Sequence, residues 1–140
     1  MGRLRSGALA AYVELLHPAP IALVLLAATA FCFAAARGRP AGWRLRSFLA
    51  GLLATQCALS LHNDYCDREL DRRTKPWRAV PRGLVSPTAA LASAAALTFL
   101  GLLVVLPLGL PVVALLGMGT AAGFTYNAWL KRSRWTWLPF

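Results

Sequence analysis

The sequence predicts an all-α integral membrane helix bundle with about four transmembrane helices, and three observations carry that expectation. Hydrophobic residues make up 58% of the 140 positions and charged ones only 14%, too apolar a balance for an ordinary soluble domain. The charges are also bunched: 22 uncharged residues separate Glu14 from Arg37, 17 separate Arg46 from Asp64, and 48 separate Arg82 from Lys131. The longest gap is broken at its middle by Leu106-Pro107-Leu108-Gly109-Leu110-Pro111, a turn-forming composition. A spanning helix needs about 20 apolar residues. Spans are therefore expected at 15–36, 43–62, 86–106 and 111–130, with a cytoplasmic motif loop at 63–85.

Met1-Gly2-Arg3-Leu4-Arg5-Ser6 fits the loose myristoylation pattern, which so short a string meets by chance. Ile21 to Ala36 resembles a signal-peptide core, but the longer uncharged run, with Glu14 and His17 ahead of it, favours a retained helix. Pro18 suits the first turn of that helix, with His17 read as the residue at its start. Arg37 to Gly42 is a turn, and Arg44 and Arg46 snorkel from the first turn of the second helix. A basic segment from Arg72 to Pro87 follows, holding Pro76, Pro81 and Gly83, and Ser86-Pro87-Thr88 opens the third helix. In the fourth, Gly119 and Gly123 form a small-xxx-small pair that permits close helix contact, or reflect general small-residue content. Cys32 and Cys57 fall within spans as small core residues, and three cysteines give no disulfide framework.

The net charge of +10 does not point to nucleic acid, because the basic residues lie between apolar spans, where lipid headgroups and topology account for them. A cytoplasmic N-terminus in the inner membrane places eleven Lys/Arg on the cytoplasmic side and four, Arg37, Arg39, Arg44 and Arg46, on the other. Four is more than that rule favours.

Four of the five acidic residues, Asp64, Asp67, Glu69 and Asp71, occupy eight consecutive positions directly after the second apolar run. Carboxylates are costly near a bilayer, so their clustering marks a functional site. At about 100° per residue, a continued helix would gather Asp64, Asp67 and Asp71 within about 60°, and Asn63 would widen the arc to about 100°. Glu69 would point away. Hard oxygen donors in that array suit Mg²⁺, which is usually held by one or two carboxylates plus substrate phosphates. The Arg and Lys residues from Arg68 to Arg82 suit phosphate. Mg²⁺ and basic residues beside apolar helices together suit a diphosphate with an apolar tail. On these residues alone, a solvated loop of mutually neutralising charges is equally open. A zinc pair of His62 and Cys66 lacks two further ligands.

Asn63-Asp64-x-x-Asp67-x-x-x-Asp71, followed by Lys75-Pro76-Trp77-Arg78 and Pro81-Arg82-Gly83, resembles the first signature of UbiA-type intramembrane prenyltransferases. Leu15-Leu16-His17-Pro18 is similar to the family's Leu-x-Arg-Pro opening, with His in place of Arg. Tyr126-Asn127-Ala128-Trp129-Leu130-Lys131-Arg132 is similar to its Tyr-x-x-x-Leu-Lys-Arg segment. The resemblance implies an all-helical fold of about nine spans and Mg²⁺-dependent transfer of a prenyl group from a polyprenyl diphosphate to an acceptor. It implies metal ligation by Asn63, Asp64, Asp67 and Asp71, with Asp67 and Asp71 central to catalysis. Lys75, Arg78, Arg82, Tyr126 and Lys131 would contact the diphosphate. Without the resemblance, Tyr126 and Lys131 read as interface anchors and the tryptophans, Trp129, Trp135 and Trp137 among them, as belt residues.

Two departures stand out. Ala79 replaces the proline that usually follows the Arg of the loop, a change expected to loosen it. Full members also run to about twice this length with a second aspartate motif, whereas no Asp or Glu follows Asp71. The 140 residues are thus expected to be the N-terminal half, from a fragment, a degraded gene or a chain that pairs with a separate C-terminal half. Alone, that half is expected to bind prenyl diphosphate weakly and not to turn over. CDP-alcohol phosphatidyltransferases also use spaced aspartates at a membrane face, but their Asp-Gly-x-x-Ala-Arg lead is absent. The non-enzymatic alternative is a four-helix scaffold or transporter-like subunit whose charged loop sets topology.

Overall fold

The computed structural model describes residues 10–13 and 15–134, all helix and connector with no strand among them. The Met1–Ser6 pattern, Glu14, Trp135, Trp137 and the end of the chain lie outside the described residues. Four long helices follow in order: α1 (Pro18–Ala35), α2 (Gly42–Thr74), α3 (Pro87–Val105) and α4 (Leu110–Ala128), with single 3₁₀ turns at Leu106–Leu108 and Leu130–Arg132.

Each boundary has a local cause. His17 takes a left-handed conformation (φ 50°) before Pro18, outside the right-handed helical region that a residue preceding proline avoids. At the end of α1, Gly38 N–H donates to Phe33 O and Arg37 N–H to Ala34 O, the paired bonds of a Schellman turn. Arg37, not a glycine, holds the left-handed position of that turn (φ 49°). The Ser86 hydroxyl accepts from Ala89 N–H at 3.1 Å and caps α3. Gly109, at φ 104°, makes the corner before Pro111.

The largest difference from expectation is in α2. The apolar run ends at His62, and a motif loop was expected from 63 to 85, yet the helix continues without a break to Thr74. Hydropathy marked where the apolar surface stops, not where the helix stops. Nothing after Gly51 interrupts the helix until Pro76, before which Lys75 leaves it at φ −140°, ψ 60°. At 1.5 Å per residue, 63–74 carry the helix about 18 Å past its apolar part. The true loop is residues 75–86.

α2 is the central element and packs chiefly on α3, with α1 and α4 on its other sides. Glycines set the closest approach: a Cβ on Gly51 would stand 2.8 Å from Gly101 O, and one on Gly101 2.9 Å from Gly51 O. Of the expected small pair, Gly123 packs on Leu59 while a Cβ on Gly119 would meet nothing. α1 and the stretch Pro87–Leu108 are long and apolar enough to cross a membrane. α2 and α4 carry more polar residues than the four-span reading weighed, and several of these turn inward. Thr55, Thr120 and Asn127 are buried, and Asn127 Nδ2 donates to Leu59 O at 3.0 Å.

The buried core lies at the motif end. Ala58 and Leu61 of α2 share one buried cluster with Ala79, Val80 and Val85 of the loop and Ala90 and Ala94 of α3. The loop is accordingly packed, not loosened. Ala79 is fully buried, and Leu84 N–H to Ala79 O with Gly83 N–H to Val80 O form a second Schellman turn around Gly83 (φ 70°).

Candidate functional site

The motif strip of α2 is divided between two cations brought in from other elements. On one side, Arg78 Nη1 donates to Asp64 Oδ1 at 2.8 Å and to Asp71 Oδ2 at 3.3 Å. On the other, Lys131 Nζ donates to Asn63 Oδ1 at 2.9 Å and lies 2.7 Å from Asp67 Oδ1. Helical spacing explains the division, since Asp64 and Asp71 sit about 20° apart while Asp67 and Asn63 lie progressively further round. The one face expected from the spacing is thus shared out as two adjoining pairs. Glu69 points away and pairs with Arg72 at 3.1 Å on the exposed side.

Asp64 and Asp71 are both 2% exposed, and burying carboxylates requires partners. The buried turn at Ala79 and Val80 fixes the neighbouring Arg78 over them. His17 completes this half: Nε2 is 3.2 Å from Asp64 Oδ1, and Arg78 Nη2 lies 3.1 Å from Nδ1 and 2.8 Å from Nε2. His17 was read from sequence only as a residue at the start of a helix. The available signal was its place in the Leu-x-Arg-Pro position, where a cationic side chain is usual.

In the second half, Arg132 Nη2 adds contacts at 3.2 Å to Asp67 Oδ1 and 3.1 Å to Cys66 O. Arg132 too was missed as a site residue, although it stands in the quoted Leu-Lys-Arg string. Burial alone would raise the Asp67 carboxyl, but hydrogen bonds and charge from Lys131 and Arg132 outweigh it and hold the group below the ordinary carboxylate value. The Cys66 thiol is pushed up, chiefly by burial, so it stays protonated near neutrality. Its sulfur is 3.7 and 3.8 Å from the ring nitrogens of His62, which packs on Phe124 at 4.6 Å. No third ligand joins that pair among the described residues.

Lys75 Nζ lies 3.3 Å from Asp71 Oδ1 but without hydrogen-bond alignment, Arg82 is exposed on the loop, and Tyr126 is half-buried in the last turn of α4. Among the described residues no three acidic, His or Cys side chains form a ready metal cage. Two buried carboxylate oxygens, Asp64 Oδ2 and Asp71 Oδ1, nevertheless have no hydrogen-bond partner. Hard oxygens of this kind fit a cation that draws its other ligands from phosphate, and they do not fit one held by protein alone.

The sequence model of the UbiA prenyltransferase family matches residues 23–138. Protoheme IX farnesyltransferase of Nocardioides sp. is 36% identical over 129 residues, 89% of this chain and 41% of that protein. Digeranylgeranylglyceryl phosphate synthase of Halobacterium salinarum is 42% identical over 104 residues, 73% of this chain and 36% of the relative. 4-Hydroxybenzoate octaprenyltransferase of Cupriavidus metallidurans is 37% identical over 106 residues, covering 70% and 36%. The chain thus spans about two fifths of the length of these curated relatives. No solved structure matches it. The family match covers the acidic strip, the Arg78 loop and the Lys131 turn that the fold brings together, and with most of the chain inside it, this protein belongs to the UbiA prenyltransferase family.

Proposed function

We propose that this chain supplies the prenyl-diphosphate-binding half of a membrane enzyme that transfers a prenyl group to an acceptor. The observation that carries the reading is the motif strip itself: the carboxylates of Asp64 and Asp71 faced by Arg78, and the Asp67 carboxylate with the Asn63 carboxamide faced by Lys131, where α2 leaves its apolar surroundings. The relatives' names describe transfer of farnesyl and octaprenyl groups, so the general reaction is shared while donor and acceptor vary. By the distribution of Lys and Arg, the motif end faces the cytoplasm.

Asp64 Oδ2 and Asp71 Oδ1 are the oxygens available to hold Mg²⁺, with Asn63 and Asp67 on the adjoining strip. Mg²⁺, when bound, supplies positive charge at the diphosphate as the allylic C–O bond breaks. Lys131, on a flexible stem, can turn from Asp67 to a phosphate oxygen, because Arg132 keeps Asp67 paired when it leaves. Lys75 and Arg82 are exposed at the same mouth, with Tyr126 nearby in sequence to Lys131, and would add further phosphate contacts. Arg78 is more deeply held, so it fixes the two aspartates and offers the diphosphate a nearby charge. Apolar helix faces alongside keep water from an allylic cation.

The test is equilibrium binding of farnesyl diphosphate to the purified chain in lipid nanodiscs, with Mg²⁺ and with chelator. Binding that needs Mg²⁺ and falls roughly tenfold or more in Asp67→Asn and Asp71→Asn is expected, the loss of a charge-assisted contact. Equal binding by wild type and both variants would overturn the proposal in favour of a charged segment that only sets topology.

A further inference from the structure

The end of the bundle away from the motif holds four arginines that the proposed reaction does not use. Arg37, Arg39, Arg44 and Arg46 are all exposed there, and the sequence has no acidic residue between Glu14 and Asp64 or after Asp71. Every ion pair among the described residues lies at the motif end. Among the described residues these permanent cations at a hydrocarbon border stand without a protein anion, and one of them, Arg37, occupies a left-handed position that glycine ordinarily takes.

Beside them an apolar groove of about 810 Å³ opens between α1, α2 and α4. Cys32 and Ala35 of α1, Arg44 and Phe48 of α2, and Val112 and Leu115 of α4 line it. The guanidinium of Arg44 lies 5.4 Å from the centre of the Trp43 ring, a cation–π contact that positions it. From Arg44 the groove follows α2 about 12 Å to Leu52, so a charged mouth leads into a hydrocarbon slot. Arg44 is twenty residues, about 30 Å of helix, from Asp64, so this is not the motif site.

We infer that this groove binds an anionic phospholipid, with an acyl chain along Phe48 and Leu52 and the phosphate headgroup on Arg44. Charge complementarity selects the headgroup: Arg44 lines the groove, three further arginines lie nearby, none has an anion opposite it among the described residues, and a guanidinium binds a phosphate group well. The volume is in the range of small-molecule sites. The inference does not depend on the proposed reaction, since none of its residues touches the motif.

Native mass spectrometry of the full 140-residue chain, released from detergent micelles containing phosphatidylglycerol or phosphatidylcholine of matched acyl chains, tests it. Phosphatidylglycerol is expected to be retained roughly fivefold more, the worth of one basic residue near an anionic headgroup. Arg44→Gln should erase that preference, while Arg73→Gln, an equal charge loss on exposed surface at the motif end, should keep it. Ala35→Phe, which fills the slot, should lower retention of both lipids, with unchanged circular dichroism showing that the variants fold. Equal retention of the two lipids by wild type, or a preference that survives Arg44→Gln, overturns the inference. So does displacement of the lipid by glycerol phosphate or farnesyl diphosphate, which would make the groove a site for a soluble phosphate or for the prenyl donor. A lipid-free dimer as the dominant species overturns it as well, because a second copy would then cover the groove.

Discussion

Arg78 Nη1 sits 2.8 Å from Asp64 Oδ1, joining the loop to the most deeply buried part of the motif strip. The same nitrogen reaches Asp71 one side over, so one guanidinium compensates two carboxylates that water barely touches. Arg78→Ala would leave both without that cation, and removing one partner of a buried ion pair costs about 3–5 kcal/mol. A large drop in unfolding midpoint is expected in detergent at neutral pH. Arg78→Lys should recover only part, because a single ammonium cannot match the geometry of the fork. An unchanged midpoint in Arg78→Ala would show that the cluster is solvated.

The α2–α3 crossing makes a second, sharper contrast. A Cβ on Gly101 would stand 2.9 Å from the Gly51 carbonyl oxygen, a backbone atom that cannot yield without moving a helix. Gly101→Ala is expected to destabilise by about 1–3 kcal/mol, the range of overpacking. At Gly119 a Cβ meets nothing, so Gly119→Ala should stabilise by about 0.5–1 kcal/mol through the unfolded chain. Chemical unfolding of the two variants side by side checks both signs.

What the sequence revealed and withheld follows the same line. Angular spacing along α2 showed that Asn63, Asp64, Asp67 and Asp71 share one face, because helical periodicity is local. It could not show that Arg78 takes Asp64 and Asp71 while Lys131 takes Asn63 and Asp67, since Lys131 is 68 residues from Asn63. His17, 47 residues from Asp64, was invisible as a partner for the same reason. The helix was drawn too short at His62 because apolar surface and helical hydrogen bonding end at different places. Gly119 and Gly123 stood out by their spacing, yet the tightest contact uses one glycine from each of two helices, which no single-segment pattern displays.

Arg37 gives a prediction about backbone conformation. Its φ of 49° places it in the left-handed region at the last turn of α1, where a Cβ costs roughly 1–2 kcal/mol. Glycine there removes the clash but brings a more flexible unfolded chain, so the net gain is smaller. Arg37→Gly should raise stability by about 0.5–1 kcal/mol, whereas Arg39→Gly, at a residue with no such strain, should not. Thermal unfolding of the pair in one detergent decides it.

Asp67 provides a pH dependence with a definite sign. Its folded-state carboxyl lies below the ordinary 3.8 because Lys131 and Arg132 together outweigh the effect of burial. A depressed carboxyl contributes stability wherever the unfolded side chain is ionised, above that ordinary value, and loses it as the pH falls through the lower folded value. Asp67→Asn deletes the charge and with it this dependence. The wild type should therefore be more stable than Asp67→Asn at pH 7, and the gap should narrow steadily as the pH falls below about 4. Lys131→Met removes the larger partner, so the Asp67 carboxyl should titrate closer to the ordinary value, and the acid loss should be smaller and complete at higher pH. Unfolding midpoints of the three proteins between neutral and acid pH test the sign, and a gap that widens on acidification would show that Lys131 does not stabilise the ionised carboxylate.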